Sequence, residues 1–362
     1  MEAAQSEATQ NAATLTAADT PAAWGATEIA AKKDEWVVWL TADEIAQLEA
    51  ALAHTKALGL AVPAITKATF PLGSLAAKLE DLRHRLEHGL GVVLLRGLPV
   101  ERYSKMDAGT IYWGIGMHLG RAVAQNAFGD VLGHVWDLGK DPKEDMTARG
   151  YQSRHRLPFH TDGADVVGLL CLRTARRGGL SSIASSMAIH NAMLREHPEL
   201  LARLYEPFAF DRRHEEAPGQ APFTMTHVFT WHNGRLFNRY IRSFINTAQR
   251  FPDAPRLAPE DIAALDKFDE YTQDPRFRID MELAPGDMQF LNNYVVLHSR
   301  TSYEDYPELD RKRHLLRLWL FTPGLADVPE SFRLRYLLTD AWAKNPRPPI
   351  YDVNQIMGVT TH

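Results

Sequence analysis

The sequence predicts an α+β protein, a β-sandwich or barrel with helices packed outside it. Two observations carry this. Apolar residues recur at helical spacing through much of the stretch up to Leu119, and beyond it short apolar runs bounded by Gly, Pro and Asp dominate. No break in composition marks a second domain, and no internal repeat is visible.

Residues 1–27 are rich in Ala, Thr and Gln and read as a flexible tail, with order beginning near Trp24. The tail lacks the basic start and apolar centre of a secretory signal and the arginines of an import helix. Residues 28–362 are expected to form one domain. Residues 35–40 read as a short strand. Thr41 then offers a capping hydroxyl ahead of Asp43 and Glu44, so a helix should run to about residue 57. Leu75, Leu79, Leu82 and Leu86 share one helical face, and Gly89 stops that helix. Residues 92–97 read as a buried strand and turn, and 106–119 as a helix. Strands are expected at 133–138, 166–173, 183–186, 290–299 and 315–322. Two helical inserts, 188–206 and 259–272, lie between them; the second opens on Pro259-Glu260-Asp261. Residues 345–349 are proline-rich and irregular.

The chain has 362 residues, 45% of them hydrophobic, enough to bury a substantial core. A net charge of −5 and the lack of any Lys/Arg run argue against a nucleic-acid partner. No apolar stretch reaches the ~20 residues that span a bilayer, so no membrane partner is expected. The one cysteine, Cys171, excludes an intramolecular disulfide and a four-thiolate metal site. It lies in the apolar run 166–172 and reads as a buried small hydrophobe. A surface without thiols fits the cytoplasm. The expected partner is a small molecule, with a homo-oligomer left open.

His160-Thr161-Asp162 has the form of a two-ligand metal motif, because alternate residues of an extended strand point the same way. Chance alone supplies about two His-x-acid triplets at this composition. Context separates this one from His197-x-Glu199, in a helical pattern, and His214-x-Glu216, in a polar loop. His298, following the turn Pro285-Gly286-Asp287 and an apolar run, is the distant partner. Two imidazoles and one carboxylate on one face of a metal leave the other face open. A lone histidine at a strand end is ordinarily a satisfied core residue. Arg313 and Arg317 shift the balance: they share a strand face, and an arginine pointing into an apolar barrel calls for an anion. On a solvated face they would instead pair with Asp305, Glu308 or Asp310.

Taken together, His160-Thr161-Asp162, Gly178-Gly179-Leu180-Ser181, Pro285-Gly286-Asp287, His298 and Arg313-x-x-x-Arg317 resemble, in that order, the taurine dioxygenase/TfdA family and its clavaminate synthase-like branch. The resemblance spans roughly residues 90–325. It implies a double-stranded β-helix (jelly-roll) core, Fe(II), O2 and 2-oxoglutarate as co-substrate. It implies His160, Asp162 and His298 as metal ligands and catalytic residues. It implies Arg313 for the far carboxylate of 2-oxoglutarate, helped by the Ser181 hydroxyl, with Arg317 close to co-substrate or substrate; the two arginines could exchange roles. Gln125 stands where the taurine enzyme has a histidine for the sulfonate, so taurine is not the expected substrate.

The implied reaction oxidises an unactivated C–H bond of a small polar molecule, such as an amino acid or carboxylate, by hydroxylation or by desaturation or cyclisation. Succinate and CO2 are the co-products. The carboxylate of Asp162 fills the place that iron halogenases leave for halide, which disfavours halogenation. Gln125, Asn126, Gln152, Asn292 and Asn293 are candidates for substrate lining, and Arg239 and Arg242 for an anionic anchor. The alternative is a non-catalytic metal-binding jelly roll, a sensor or scaffold, which would not need the inward arginine. A zinc or serine hydrolase is poorly supported, since neither His-Glu-x-x-His nor Gly-x-Ser-x-Gly occurs.

Overall fold

The computed structural model describes residues 15–139, 150–216 and 219–347. Two sheets face each other. The larger has seven strands, in the order Val37–Trp39, Val92–Arg96, Met288–Asn292, Val166–Arg173, His314–Phe321 and Arg121–Ala122, with Leu132–Val135 also paired to His314–Phe321. The smaller runs Arg278–Met281, Ser181–Ser185, Val296–Arg300, Leu157–His160.

Period-two alternation explains the layering. Along the last long strand, Leu315, Trp319 and Phe321 meet Val167, Cys171, Ile183 and Val296 between the sheets. Leu316, Leu318 and Leu320 point the other way, into an outer core with the helices Ala42–Ala57, Ser74–His88 and Lys105–Leu119. The smaller sheet is backed by Ser186–Glu196 and Pro259–Gln273 through Ala184, Leu297, Met193 and Phe268. This is a jelly-roll core with helices outside it. Close approach sets one contact: a Cβ on Gly116 would lie 2.6 Å from Leu318, so the Lys105–Leu119 helix needs glycine there to sit on the sheet.

The cap at Thr41 is complete, its hydroxyl accepting from Glu44 N–H while Glu44 accepts from Thr41 N–H. Several expectations need correction. The segment 35–40 begins as the helical turn Lys33–Trp36, and only Val37–Trp39 pairs, parallel to Val92–Arg96. The run 290–299 is two strands in different sheets. The Asn292 side chain accepts Tyr294 N–H at 2.9 Å and turns the chain from one sheet to the other. The insert 188–206 divides into Ser186–Glu196 and Pro198–Arg203, because Pro198 has no N–H to continue a helix but can start one.

The expected tail boundary also moves. Residues 15–27 are packed: Ala18, Ala22 and Trp24 are buried, Trp24 Nε1–H donates to Leu90 O at 2.8 Å, and Asn191 bonds both backbone groups of Ala18. Small alanines let the chain lie flat, and one tryptophan anchors it. Residues 1–14 of that tail, and the last two of 345–349, lie outside the described residues.

Two hairpins were not anticipated. Pro207–Asp211 pairs with Phe223–His227, and Phe229–His232 with Arg235–Asn238. The second carried a legible signal, Asn233-Gly234, and both of these residues have positive φ, the conformation of a tight hairpin turn. No helix among the described residues is long and apolar enough to cross a membrane.

Candidate active site

His160 ends its strand and pairs in register with His298 on the neighbouring strand. The chain after His160 is held extended by Thr161, whose N–H donates to Tyr240 O at 2.8 Å and whose hydroxyl accepts from Tyr240 N–H at 3.1 Å. Asp162 therefore returns to the side of His160. His160 Nε2 lies 3.8 Å from Asp162 Oδ1, and His298 Nε2 lies 3.9 Å from Asp162 Oδ2. One ligand atom from each of the three residues falls within 4.8 Å of the others.

Protonation and orientation suit a cation. His160 Nδ1 lies 2.9 Å from Pro158 O, which acts only as acceptor, so Nδ1 carries the proton and Nε2 offers a lone pair. Burial and the neighbouring His160 push His298 down to about 3, and burial also lowers His160. Burial would raise Asp162, but Arg317 and the two histidines outweigh it and bring the carboxyl to about 2. Two neutral imidazoles and one carboxylate form a donor set that suits Fe(II), with His160 and Asp162 open to a cavity of about 340 Å³.

Neighbours hold the carboxylate still. Trp319 Nε1–H donates to Asp162 Oδ2 at 2.8 Å, and the Asn293 side chain accepts Asp162 N–H at 3.0 Å. Arg317 Nη1 lies 3.6 Å from the same oxygen of Asp162. Its guanidinium rests over the Tyr151 and Trp319 rings, and its Nε donates to Gln125 Oε1 at 2.7 Å.

Arg313 lies elsewhere. A bulge between His314 and Leu315 interrupts the simple alternation that would align it with Arg317. Its buried guanidinium sits 5.1 Å from the centre of the Tyr303 ring, and that of Arg300 sits 4.8 Å from the same ring. Nη1 of Arg313 and Nη1 and Nε of Arg300 have no hydrogen-bond partner. Neither arginine has an ion-pair partner among the described residues. Burial and the adjacent Arg313 push Arg300 down to about 10. Two buried cations side by side call for an anion. Arg300 was missed from sequence. Its signal was the His298-x-Arg300 spacing, which puts it on the face of His298. Gly179 makes room, since a Cβ there would stand 3.1 Å from Arg313 Nε. Ser181, paired across from Arg300, donates its hydroxyl to Gln289 Oε1 at 3.0 Å.

The expected lining residues divide. Gln125 lines the cavity, yet both ends of its amide are engaged by Arg317 side chain and backbone. Asn126 lines it too, but its side chain closes the turn to Phe128 and Asp130. Gln152 is buried and does not line the cavity. Asn292 also does not: its amide donates to Leu86 O at 3.0 Å, tying the sheet to a helix. Arg242 lines the cavity with its charge answered by Asp266 at 2.7 Å and Asp269 at 3.1 Å, so it is not a free anchor. For Gln125, Asn292 and Arg242 the polar side chain serves groups that lie far off in sequence.

The family described as taurine catabolism dioxygenase TauD, TfdA matches residues 54–319. FR-33289 synthase of Streptomyces rubellomurinus is 37% identical over 302 residues, covering 82% of this chain and 88% of that protein. Taurine hydroxylase-like protein SAT17 of Stachybotrys chartarum is 30% identical over 341 residues, covering 89% and 87%. Among solved structures, an asparagine oxygenase in complex with Fe(II), hydroxyasparagine and succinate superposes with a TM-score of 0.61 at 17% identity, covering 79% of this chain and 93% of the other.

Proposed function

The chain belongs to the taurine catabolism dioxygenase TauD, TfdA family and is a 2-oxoglutarate-dependent non-haem iron dioxygenase, and from that premise we propose how its own residues divide the work. Membership sets aside the reading as a non-catalytic jelly roll. We assign His160, Asp162 and His298 as the iron ligands. The observation that carries this is the cluster of one carboxylate and two neutral imidazoles within 4.8 Å, with His160 and Asp162 lining the cavity. When bound, Fe(II) with 2-oxoglutarate and O2 supplies the oxidative decarboxylation to succinate and CO2 that makes C–H oxidation accessible.

The residues around the ligands bind and orient. Pro158 fixes the His160 tautomer, and Trp319 and Asn293 fix the Asp162 side chain and backbone. Arg313 and Arg300 form the buried cationic seat for the far carboxylate of 2-oxoglutarate, with Ser181 as an auxiliary donor. Arg317, held by Gln125 and in reach of Asp162, serves the metal end, where co-substrate and substrate meet. The substrate is a small polar molecule, such as an amino acid or another small anion. A reducing cytoplasm suits a chain whose one thiol, Cys171, is buried.

The test is anaerobic titration of the protein with Fe(II) and 2-oxoglutarate, followed by the weak visible metal-to-ligand charge-transfer band. Wild type should develop the band and His298→Ala should not. A folded, iron-replete wild type without a band would overturn the assignment.

A further inference from the structure

The cavity that reaches His160 and Asp162 has another polar wall. It is built by the hairpin Pro207–Asp211 with Phe223–His227 and by the residue after strand Arg235–Asn238. Thr224 and Thr226 lie two apart on one strand and share a face toward the cavity. Arg212 is two residues on from Phe210, which pairs with Thr224 and also lines the cavity. Arg239 joins from the next segment, two residues before Ile241, which bridges His160. That places this wall within a short reach of the metal ligands.

The two cationic groups differ in how they are answered: Arg239 faces no carboxylate, whereas Arg212 feels that of Glu216. Arg239 has no ion-pair partner among the described residues, and its Nε is buried without a hydrogen bond. The Nε of Arg212 and the hydroxyl of Thr226 are likewise buried and unbonded. Arg212 Nη1 donates to Gln220 Oε1 at 3.3 Å, and the Glu216 carboxylate nearby favours its charge. Burial and the repulsion of Arg212 both disfavour the charge on Arg239. Nearby cations differ: Arg250 is paired with Asp211 at 3.2 Å, and Arg242 with two aspartates.

Two guanidinium groups beside two hydroxyls offer more charge and more donors than one carboxylate, with its single charge and two oxygens, can use in full. A phosphoryl group brings nearly two charges and three acceptor oxygens. We propose that the substrate carries a phosphate-monoester or phosphonate dianion, seated on Arg239, Arg212 and Thr226 with Thr224 at the edge of the seat. This seat presents the C–H bond to be oxidised in front of His160 and Asp162. It rests on the reading of the same cavity as the oxygenase site.

The test is calorimetric binding of four matched probes to the full chain loaded anaerobically with Fe(II) and 2-oxoglutarate: ethyl phosphate, propylphosphonate, propanesulfonate and butyrate. At least one of the two dianions should bind about tenfold or more tightly than both monoanions. Ethyl phosphate should weaken about tenfold between pH 7 and pH 5, as its second proton returns with a pKa near ~6. Arg239→Gln should weaken the dianions about tenfold or more, with thermal melting to confirm the fold. The wild-type ranking stands without that variant. Compared at a pH where both are doubly ionised, the tighter of the two tells phosphate ester from phosphonate. Dianions that bind no better than butyrate overturn the proposal. The charge-transfer band in the same sample separates the failures: a band with no dianion preference sinks the seat alone, whereas dianion binding without a band sinks the iron assignment alone.

Discussion

Trp319 donates its indole N–H to Asp162 Oδ2 at 2.8 Å, so a side chain from the large-sheet strand His314–Phe321 holds the carboxylate two residues beyond the small-sheet strand Leu157–His160. Removing that donor while keeping an aromatic ring isolates its part. Trp319→Phe should fold and weaken Fe(II) binding about tenfold, the usual range for an outer-shell partner of a ligand. Anaerobic Fe(II) titration read by the charge-transfer band measures this. Unchanged affinity would show that Asn293 and the backbone suffice.

The arginines should separate kinetically. Arg313→Gln removes a charge-assisted fork, worth about 1.5–3 kcal/mol, and should raise KM for 2-oxoglutarate roughly 10- to 150-fold. Ser181→Ala should raise it less, about tenfold at most, since its proton already serves Gln289. Arg317→Gln should act chiefly on kcat and on substrate binding. Succinate release at varied 2-oxoglutarate checks the three together, and a larger KM effect at Arg317 than at Arg313 would exchange their roles.

Buried imidazoles should make the fold acid-sensitive above the carboxylate range. His134 Nδ1 and His314 Nε2 lie 2.9 Å apart. Burial brings His134 down to about 4, and burial together with His134 depresses His314 further. Folded values below the unfolded ~6.5 mean that the unfolded chain takes up protons first on acidification. Stability from this pair is therefore complete above pH ~6.5 and falls by roughly 1.4 kcal/mol per unit per imidazole below it. Urea unfolding should lose about 3 kcal/mol more between pH 6.5 and pH 5 in wild type than in His134→Gln/His314→Gln. Equal losses would mean that the pair is protonated without cost in the folded protein.

The N-terminal segment should be part of the fold. Trp24 is fully buried and bonded to Leu90 O, so Trp24→Ala should cost about 3–5 kcal/mol, seen as a lowered thermal midpoint. A loss below about 1 kcal/mol would return this segment to the status of a loose tail.

Much of the architecture was written locally. The Thr41 cap, the leucine row 75–86 and the run 166–173 fixed their elements because capping, helical spacing and continuous apolarity are properties of neighbouring residues. His160-x-Asp162 was legible for the same reason: a strand end makes residues two apart neighbours in space. The hairpin at Asn233-Gly234 was equally local and was overlooked.

What the sequence could not decide was who stands opposite whom. Gln125, Asn292 and Arg242 read as free polar groups, yet each is engaged by a partner distant in the chain: Arg317, Leu86 and the aspartates 266 and 269. Arg239 read, with Arg242, as a candidate anionic anchor and Arg212 carried no signal; only the fold brings Arg239 and Arg212 to one cavity wall, with Arg239 left without a counter-charge among the described residues. Local propensity thus determined many of the strands and helices and the juxtaposition of His160 with Asp162. Tertiary packing decided which charges are already neutralised and which still call for a ligand, because that depends on groups that approach one another only once the two sheets close.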